Sequence, residues 1–416
     1  MLTIPATYYN DNEDYITLTA IHSFIRSHPV GKCKTSSTRK ELLDAIIAFG
    51  NQNEANGEAV LNWIDAVLQE GIRDIYLQYA PIPEEMQLLF MSKAGVEKYL
   101  DAYRSKTLNP HVCMNTYGQD YTLISASYLE NSRKITFVYC RKLHMHDKKN
   151  RTTKEIDYPV IADYFLDSAW LLIRAKPRSN LYIFNPDGFD IEEAESTTTE
   201  KEIQRVSACV EKILQVEKVP KSYISAQMKT RIFNLLHTYS STPAEIAKVM
   251  DDKKPEIQGI AEKIQTLCTV PDVCNISQSM AKDIGEDISN IVEKYLSINW
   301  KDKRIFIKDR MAYPVKLSAT DEEESKVEQA AALEEPLQTK ALFFDNKKML
   351  YKSKRCDGVV FQWKRQNPDH FLRDSFAVRI TVNPKGHCIF KFSEYTAKED
   401  IENVVFSIIN DSTAGK

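Results

Sequence analysis

The hydrophobic pattern of the chain changes its period in the middle, and this change limits the folds that are possible. Up to about Arg104, apolar residues recur at three- and four-residue spacing, as in "EAVLNWIDAVLQEG", which is typical of amphipathic helices. Between Tyr121 and Phe184 the period is two, in five short β-rich runs separated by polar turns. Runs of this kind are typical of antiparallel strands. We therefore predict a multidomain α+β protein.

At 416 residues the chain is longer than one ordinary domain, so we predict several modules. A mostly helical N-terminal module spans 1–110, and an antiparallel β module with a basic hairpin spans 111–190. Helical sequence over 200–300 contains "IAKVM", "DDKK" and "PEIQGIAEKIQTL", which is a possible helix-turn-helix. An acidic segment at 318–336 is predicted to be an exposed linker. The last module, 337–416, is predicted to be a small sheet with a final helix.

Local signals place several of these elements. Thr38 and Glu41 form a capping box ahead of "LLDAIIAF", and Thr242 with Pro243 predicts another helix start. "RDIYLQYAP" is predicted to be a short strand. The strands predicted for the last module are "ALFF", "KMLY", "VVFQW", "FAVRITV" and "CIFKF".

Composition excludes some classes of protein. Charged residues make up 27% of the chain, and no apolar run approaches the roughly 18 residues that a membrane span requires. The first twenty residues carry three acids where a signal peptide would be basic and then apolar. The eight cysteines show no CxxC spacing, and Cys268 with Cys274 makes a poor zinc half-site. We expect a cytoplasmic protein with no membrane contact.

Positive charge is gathered in one short span of a chain whose formal net charge is only −3. Between Arg141 and Lys154 there are six Lys or Arg residues and a single acid, Asp147. The span lies between two predicted strands, so we expect it at the tip of a long hairpin. A nearby strand and its turn add three cations. The predicted nucleic-acid-binding residues are Arg141, Lys142, Lys148, Lys149, Arg151, Lys154, Arg174, Lys176 and Arg178.

A basic hairpin of this length favours a binding role, because ordering it costs entropy and the loop gains no core of its own. Cations attract phosphates by releasing condensed counterions, and a hairpin tip is slim enough to enter a groove. We expect DNA rather than RNA as the ligand. Tyr139, Tyr158 and Tyr182 could stack on bases if single strands were bound. The alternative is that these cations are solubilising surface residues or bind acidic segments of the same chain or of another copy.

The last module contains a second group of cations, set against Asp345 and Asp357. Its members are Lys347, Lys348, Lys352, Lys354, Arg355, Lys364 and Arg365. The possible helix-turn-helix is less basic. Its second helix offers Glu256, Gln258 and Glu262, whereas a helix that reads the major groove usually presents Arg, Asn or Lys. A structural helical hairpin is favoured there.

Catalytic and metal sites find little support in the sequence. Asp357, Gln362 and Lys364 resemble the acid, amide and lysine set of a metal-dependent nuclease, but Asp357 lies on the same run with no turn to bring it opposite the others. A looser set places Asp163 or Asp167 ahead of Arg174 and Lys176 but lacks the middle acid.

His144 and His146 share one side of a strand beside Asp147, which has the opposite parity, so zinc binding is not predicted. The phosphate-binding loop GxxxxGK[ST], the esterase motif GxSxG and the zinc-protease motif HExxH are missing from the sequence.

The sequence therefore predicts a nucleic-acid-binding protein that is not itself an enzyme, needs no cofactor, and acts alone or within a complex. A protein partner or a homo-oligomer is expected. Two alternatives stay open: a metal-dependent nuclease of a genome-defence (antiviral) system, and a scaffold subunit whose charged surfaces bind other proteins.

Overall fold

The computed structural model of the protein describes residues 2–9, 15–31, 38–104, 107–185, 188, 190–270, 273, 275–320, 326–331, 335–368, 371 and 373–410. In these ranges the chain forms an α+β structure, as predicted. No helix within them is both long and apolar enough to cross a membrane. The chain divides into two compact units. The first contains Met1–Ser225, Arg365–Asp374 and Asn383–Ile409, and the second contains Ala226–Lys364 and Ser375–Val382.

The helices and strands are numbered in chain order. The helices are α1 (Leu18–Ser27), α2 (Arg39–Gly50), α3 (Glu54–Val67), α4 (Glu84–Leu89), α5 (Lys93–Asp101), α6 (Thr199–Leu214), α7 (Lys221–Tyr239), α8 (Ala244–Asp252), α9 (Lys254–Cys268), α10 (Gln278–Asn299), α11 (Ala341–Ser353) and α12 (Lys398–Ile409). The strands are β1 (Arg73–Tyr79), β2 (Thr122–Leu129), β3 (Lys134–Asp147), β4 (Thr152–Phe165), β5 (Trp170–Ala175), β6 (Leu181–Ile183), β7 (Ser196–Thr197), β8 (Ala312–Thr320), β9 (Lys326–Ala330), β10 (Gly358–Lys364), β11 (Ser375–Val382) and β12 (Cys388–Phe392).

The sheet of the first unit has the order β7-β6-β3-β4-β5-β1-β12, and β2 also pairs with β3. Its pairings are antiparallel. β1 lies between β5 and β12, because its run of four consecutive buried residues needs a partner on each edge and cover on both faces. Strands from three predicted modules, 1–110, 111–190 and 337–416, therefore share one sheet and belong to one unit.

Helices pack on both faces of this sheet. Val160 and Ile161 are neighbours on β4, so their side chains point to opposite faces. Val160 belongs to a core that contains Val206 of α6, whereas Ile161 belongs to a second core that contains Ile64 of α3. Full burial of one such aliphatic side chain is worth about 1.5–3 kcal/mol. The centre of the sheet is thus shielded from water on each side.

In the second unit β11, β10, β8 and β9 pair in that order, again antiparallel. The predicted strands "ALFF" and "KMLY" are wrong, because both lie in α11. Phe343 and Leu350 are seven residues apart and buried on one helix face, so the apolar period there is helical.

The predicted linker at 318–336 contains the end of β8 and the whole of β9. Gln329 of β9 is buried and donates from Nε2 to the carbonyl of Leu342 at 2.7 Å. Residues 321–325 and 332–334 of that segment lie outside the described residues. Paired strand on both sides of the first gap differs from the exposed linker that the acidic composition predicted.

The two predicted helix starts have opposite outcomes. The Thr38–Glu41 capping box is confirmed, with the Thr38 N–H donating to Glu41 Oε2 at 2.6 Å. The Thr242 cap is wrong. Pro243 is the N-cap residue of α8, and the Thr242 hydroxyl instead donates to Glu293 of α10 at 2.6 Å. A tertiary partner has replaced the local one.

Candidate nucleic-acid interface

The predicted hairpin is confirmed and is formed by β3 and β4, each fourteen residues long. The two strands pair from Lys134↔Phe165 at the base to Asp147↔Thr152 at the turn. The neighbouring strands end before the turn, β5 well before it and β6 only shortly before it. β5 pairs with β4 only as far as Val160, and β6 pairs with β3 only over Leu143–Met145. The His146 N–H donates to the Asn180 carbonyl at 3.0 Å. Between this bond and the turn, no other strand of the described chain pairs with the hairpin.

Asp147 organises the turn. Its Oδ1 accepts from the backbone N–H groups of Lys149 at 2.8 Å and Asn150 at 3.2 Å, and its Oδ2 accepts from the Asn150 side chain at 2.6 Å. The donors of Asn150 and Lys149 stabilise the ionised carboxylate and lower the pKa of Asp147. Arg151 has a φ of 51°, so the chain leaves the turn through a left-handed residue. The single acid of the basic span thus has a structural role.

Three cations lie at the tip, a name used below for residues 148–153. Lys148, Lys149 and Arg151 are exposed. None of the three side chains forms an ion pair or hydrogen bond with any residue that the structure describes. Their charges are therefore available to an external partner.

Arg141 has a different environment near the middle of β3. It is 5% exposed, with Nε 3.4 Å from Glu202 Oε2 and the guanidinium 5.3 Å from the Tyr121 ring centre. Glu202 is fully buried on α6 and also accepts from Thr197 and Arg205. Arg141 was predicted to bind nucleic acid, and this assignment is withdrawn because its charge points into the protein.

Arg174 is also buried, at 1% exposure, and forms an ion pair with Asp163. Lys134 lies 3.6 Å from the same carboxylate, and Thr136 donates to it at 2.6 Å. Burial acts to raise the pKa of Asp163, but Arg174 and Lys134 outweigh it, so the pKa is lowered. β5 lies between β4 and β1 with all of its residues buried, so Arg174 cannot reach a surface.

The remaining predicted cations have intermediate positions. Lys176 is 8% exposed, with its Nζ 5.5 Å from the Tyr15 ring, and Arg178 is half-buried at 5.6 Å from the same ring. Lys142 is half-buried and lies 3.3 Å from Glu155. Lys154 is half-buried opposite Met145. Lys176 is removed from the predicted interface with Arg141 and Arg174, while Lys142, Lys154 and Arg178 can at most flank the tip.

The aromatic residues suggested for base stacking are mostly inaccessible. Tyr139 and Tyr158 are buried, and only Tyr182 is half-buried. His144 is buried beside Phe184, and His146 shares a hydrogen bond with Thr153 at 2.9 Å. Across the described ranges, no group of three or more His, Cys, Asp or Glu side chains could hold a metal ion.

The second group of cations is largely engaged by other residues of the chain. Lys347 pairs with Glu293, and Lys348 pairs with Asp287 at 2.9 Å. Arg365 is buried 3.9 Å from the Phe371 ring centre. Lys352, Lys354 and Arg355 are exposed at and after the end of α11, and Lys348 is exposed as well despite its ion pair.

The nuclease set is not assembled. Asp357 forms an ion pair with Lys229 at 2.6 Å, and buried Gln362 donates to Ser375 at 2.8 Å. Lys364 Nζ donates to two backbone carbonyls. Five residues of extended chain separate Asp357 from Gln362, a distance of about 16 Å. In the looser set, Asp163 is buried and Asp167 pairs with Arg133.

Sequence reasoning missed the polar residues that stand among the tip cations. Asn150, Thr152 and Thr153 are exposed beside Lys149 and Arg151. The Asp-x-x-Asn spacing, which is typical of a side-chain-stabilised turn, is the signal that could have located them. Comparison of the chain with models of known families, with curated proteins and with solved structures finds no match in any of the three.

Proposed function

We propose that the protein binds double-stranded DNA through the tip of the β3–β4 hairpin. One observation carries the proposal: Lys148, Lys149 and Arg151 are exposed, without a described ion-pair partner, at the turn of a hairpin whose strand β4 extends well beyond its neighbour β5. Cations that already pair with carboxylates, such as Lys347, would have to give up those partners to bind phosphate. The tip cations can bind phosphate without breaking an ion pair.

The shape of the ribbon favours duplex DNA. The major groove of B-form DNA is about 12 Å wide and admits a two-stranded β-ribbon. The major groove of A-form RNA is too narrow for side chains to read, so the same ribbon fits double-stranded RNA poorly. Asn150, Thr152 and Thr153 can donate to phosphate oxygens or base edges from the same tip.

The test is the triple variant Lys148→Glu/Lys149→Glu/Arg151→Glu. Each phosphate contact contributes about 0.9 to the slope of log K against log salt, so losing three should reduce that slope by roughly 2–3. We expect the affinity for a duplex of random sequence to fall at least about 100-fold at low salt. Fluorescence anisotropy over a series of salt concentrations measures both quantities.

The matched control is Lys98→Glu/Lys201→Glu/Lys212→Glu. These lysines are exposed on helices of the same unit and change the net charge by the same amount. Their replacement should alter affinity by less than about threefold and leave the salt slope intact. An unchanged slope in the tip variant, or an equal loss in the control, refutes the proposal. Competition with single-stranded DNA and with duplex RNA tests the choice of ligand.

A further inference from the structure

Helix α10 of the second unit packs against α8, α9 and α11, and part of its apolar side stays exposed. Only two of its residues are buried, and both are polar: Glu293 and Ser297. Its polar side attaches to α11, since Asn290 donates to the Phe344 carbonyl at 2.9 Å and Lys294 pairs with Asp345. A surface helix ordinarily buries its apolar face, and the exposed part of that face of α10 is available to a partner outside the described chain.

Six apolar residues of α10 form one stripe, here called the α10 stripe, and Val292 and Leu296 lie to one side of it. Its members are Met280, Ile284, Ile288, Ile291, Tyr295 and Ile298. Met280, Ile291 and Tyr295 are 47%, 48% and 59% exposed, and the other three are half-buried.

The chain around the α10 stripe is also apolar. Of the nineteen large hydrophobic side chains that are exposed in the described chain, seven lie between Ile260 and Tyr295. Leu267, at the end of α9, is 81% exposed, and Val273 is 83% exposed. This segment is therefore richer in exposed apolar side chains than the rest of the described chain.

The spacing of the stripe points to another helix as the partner. From Ile284 the steps to Ile288, Ile291, Tyr295 and Ile298 are four, three, four and three residues. Alternating steps of four and three keep one seam of a helix against a second helix in a coiled coil.

The seam is complementary to itself when two copies run antiparallel. Ile288 then packs against Ile291 of the second copy, and Ile284 packs against its Tyr295. Beside the seam, Asp287 of one copy lies opposite Lys294 of the other, so unlike charges meet twice around the two-fold axis. A parallel arrangement would place Asp287 beside Val292 and Lys294 beside Asn299, which matches no charges.

We infer that the α10 stripe is a homodimer interface, in which α10 packs antiparallel against α10 of a second copy. The interface is closed by a two-fold axis, so each copy contributes the same surface. The ion pairs Lys348–Asp287 and Lys294–Asp345 flank the seam and extend into charge networks across it.

The first experiment measures association of the full-length chain by sedimentation equilibrium. The wild type should be a dimer at micromolar concentration. Ile291→Glu/Tyr295→Glu should weaken the dimer at least about 100-fold, because each change buries a carboxylate at the centre of the seam. Leu88→Glu/Met91→Glu is the control, since those side chains are 62% and 70% exposed in the first unit. It should remain dimeric, and thermal unfolding should show that both variants are folded.

The second experiment tests the direction of the helices with Ile284→Cys and Tyr295→Cys. In the antiparallel pair a disulfide joins position 284 of one copy to position 295 of the other. The double variant, or a mixture of the two single variants, should therefore cross-link on oxidation. Each single variant alone should not, because equivalent positions lie about 16 Å apart along the axis and a disulfide needs Cα atoms within about 7 Å. The parent chain, with Cys268 exposed, is oxidised in parallel.

Three results would overturn the inference. They are a wild-type chain that stays monomeric at about 100 μM, an Ile291→Glu/Tyr295→Glu variant that dimerises as well as the wild type, and single cysteine variants that cross-link to themselves. A monomeric chain that binds a different protein through the α10 stripe would also overturn the inference.

Discussion

At the tip of the β3–β4 hairpin Lys148, Lys149 and Arg151 face solvent without a described partner, whereas nearer the base Arg141 lies against Glu202 and Arg174 lies against Asp163. Both regions are rich in Lys and Arg. The base belongs to a sheet covered by helices on both faces, where an unpaired charge would cost several kcal/mol, and Arg141 and Arg174 each have an acid beside them. The tip extends beyond the covering helices, so its cations are hydrated and need no acidic partner.

Cations that are clustered in the sequence therefore fall into two groups in the structure, one buried and one exposed. Those in the covered part of a strand stabilise the fold, and those beyond the last neighbouring strand are available to a ligand. The boundary on β3 falls between Arg141, which is 5% exposed, and Lys148, only seven residues further along the chain. Predictions that separate stability from binding therefore test the comparison directly.

The largest expected effect is on the base. Asp163→Asn removes the carboxylate that Arg174 and Lys134 share. Arg174 then stays buried without a counter-charge, whereas Lys134 keeps Glu402 at 3.5 Å. We expect the free energy of unfolding to fall by about 3–5 kcal/mol. Urea denaturation at neutral pH measures it. A loss below about 1 kcal/mol would mean that the buried cluster does not stabilise the base.

The effect of pH on Asp163 has a definite sign. The folded pKa is lowered, so the carboxylate contributes its full stabilisation above the unfolded pKa of about 3.9. That contribution is lost as the pH falls through the folded value. The stability difference between wild type and Asp163→Asn should therefore be constant near neutral pH and shrink below about pH 4. A difference that grows on acidification would contradict the assignment.

The next effect contrasts two arginines of one hairpin. Arg141→Met leaves Glu202 Oε2 without its cation and should lower the free energy of unfolding by about 1–3 kcal/mol, with little change in DNA affinity. Arg151→Met should leave stability within about 0.5 kcal/mol and weaken DNA binding about three- to tenfold. Urea denaturation measures the stability of both variants, and fluorescence anisotropy measures their DNA affinity. Equal losses of binding would remove the distinction between tip and base.

The smallest effect concerns Asp147. Asp147→Asn keeps an oxygen that can accept from the Lys149 and Asn150 N–H groups but removes the negative charge of the turn beside the tip cations. DNA affinity should rise about two- to threefold, and the gain should vanish at high salt. Asp147→Ala removes the acceptor as well, so it should loosen the turn and lose the gain. Weaker binding by Asp147→Asn would show that the tip does not contact a polyanion.

Features that depend on neighbours in sequence were predicted well. The Thr38–Glu41 box and the β3–β4 hairpin each follow from residues close together in the chain, and the structure confirms both. "ALFF" and "KMLY" were misassigned because short apolar runs fit a buried strand and a buried helix equally. The Thr242 cap failed for another reason, since Glu293, distant in sequence, accepts its hydroxyl.

The candidate site was predicted in part. Its location at a hairpin tip came from the change to period two and the density of cations, but which cations reach solvent did not. Lys176 and Arg178 lie two residues apart and both contact the Tyr15 ring, yet one is buried and the other half-buried. Burial of a charged side chain depends on the strands and helices that cover it, and these come from distant parts of the chain.

The amino-acid sequence by itself determined the α+β class, the local helix and hairpin signals, and the position of the basic span, because each depends on periodicity and on contacts a few residues apart. Tertiary structure alone decided that β1 lies between β5 and β12, that Arg141 and Arg174 are structural ion-pair members, and that part of the α10 stripe stays exposed. The physical reason is that the free energy of a charge or an apolar stripe depends on what displaces water around it, and that is set by residues far away in sequence.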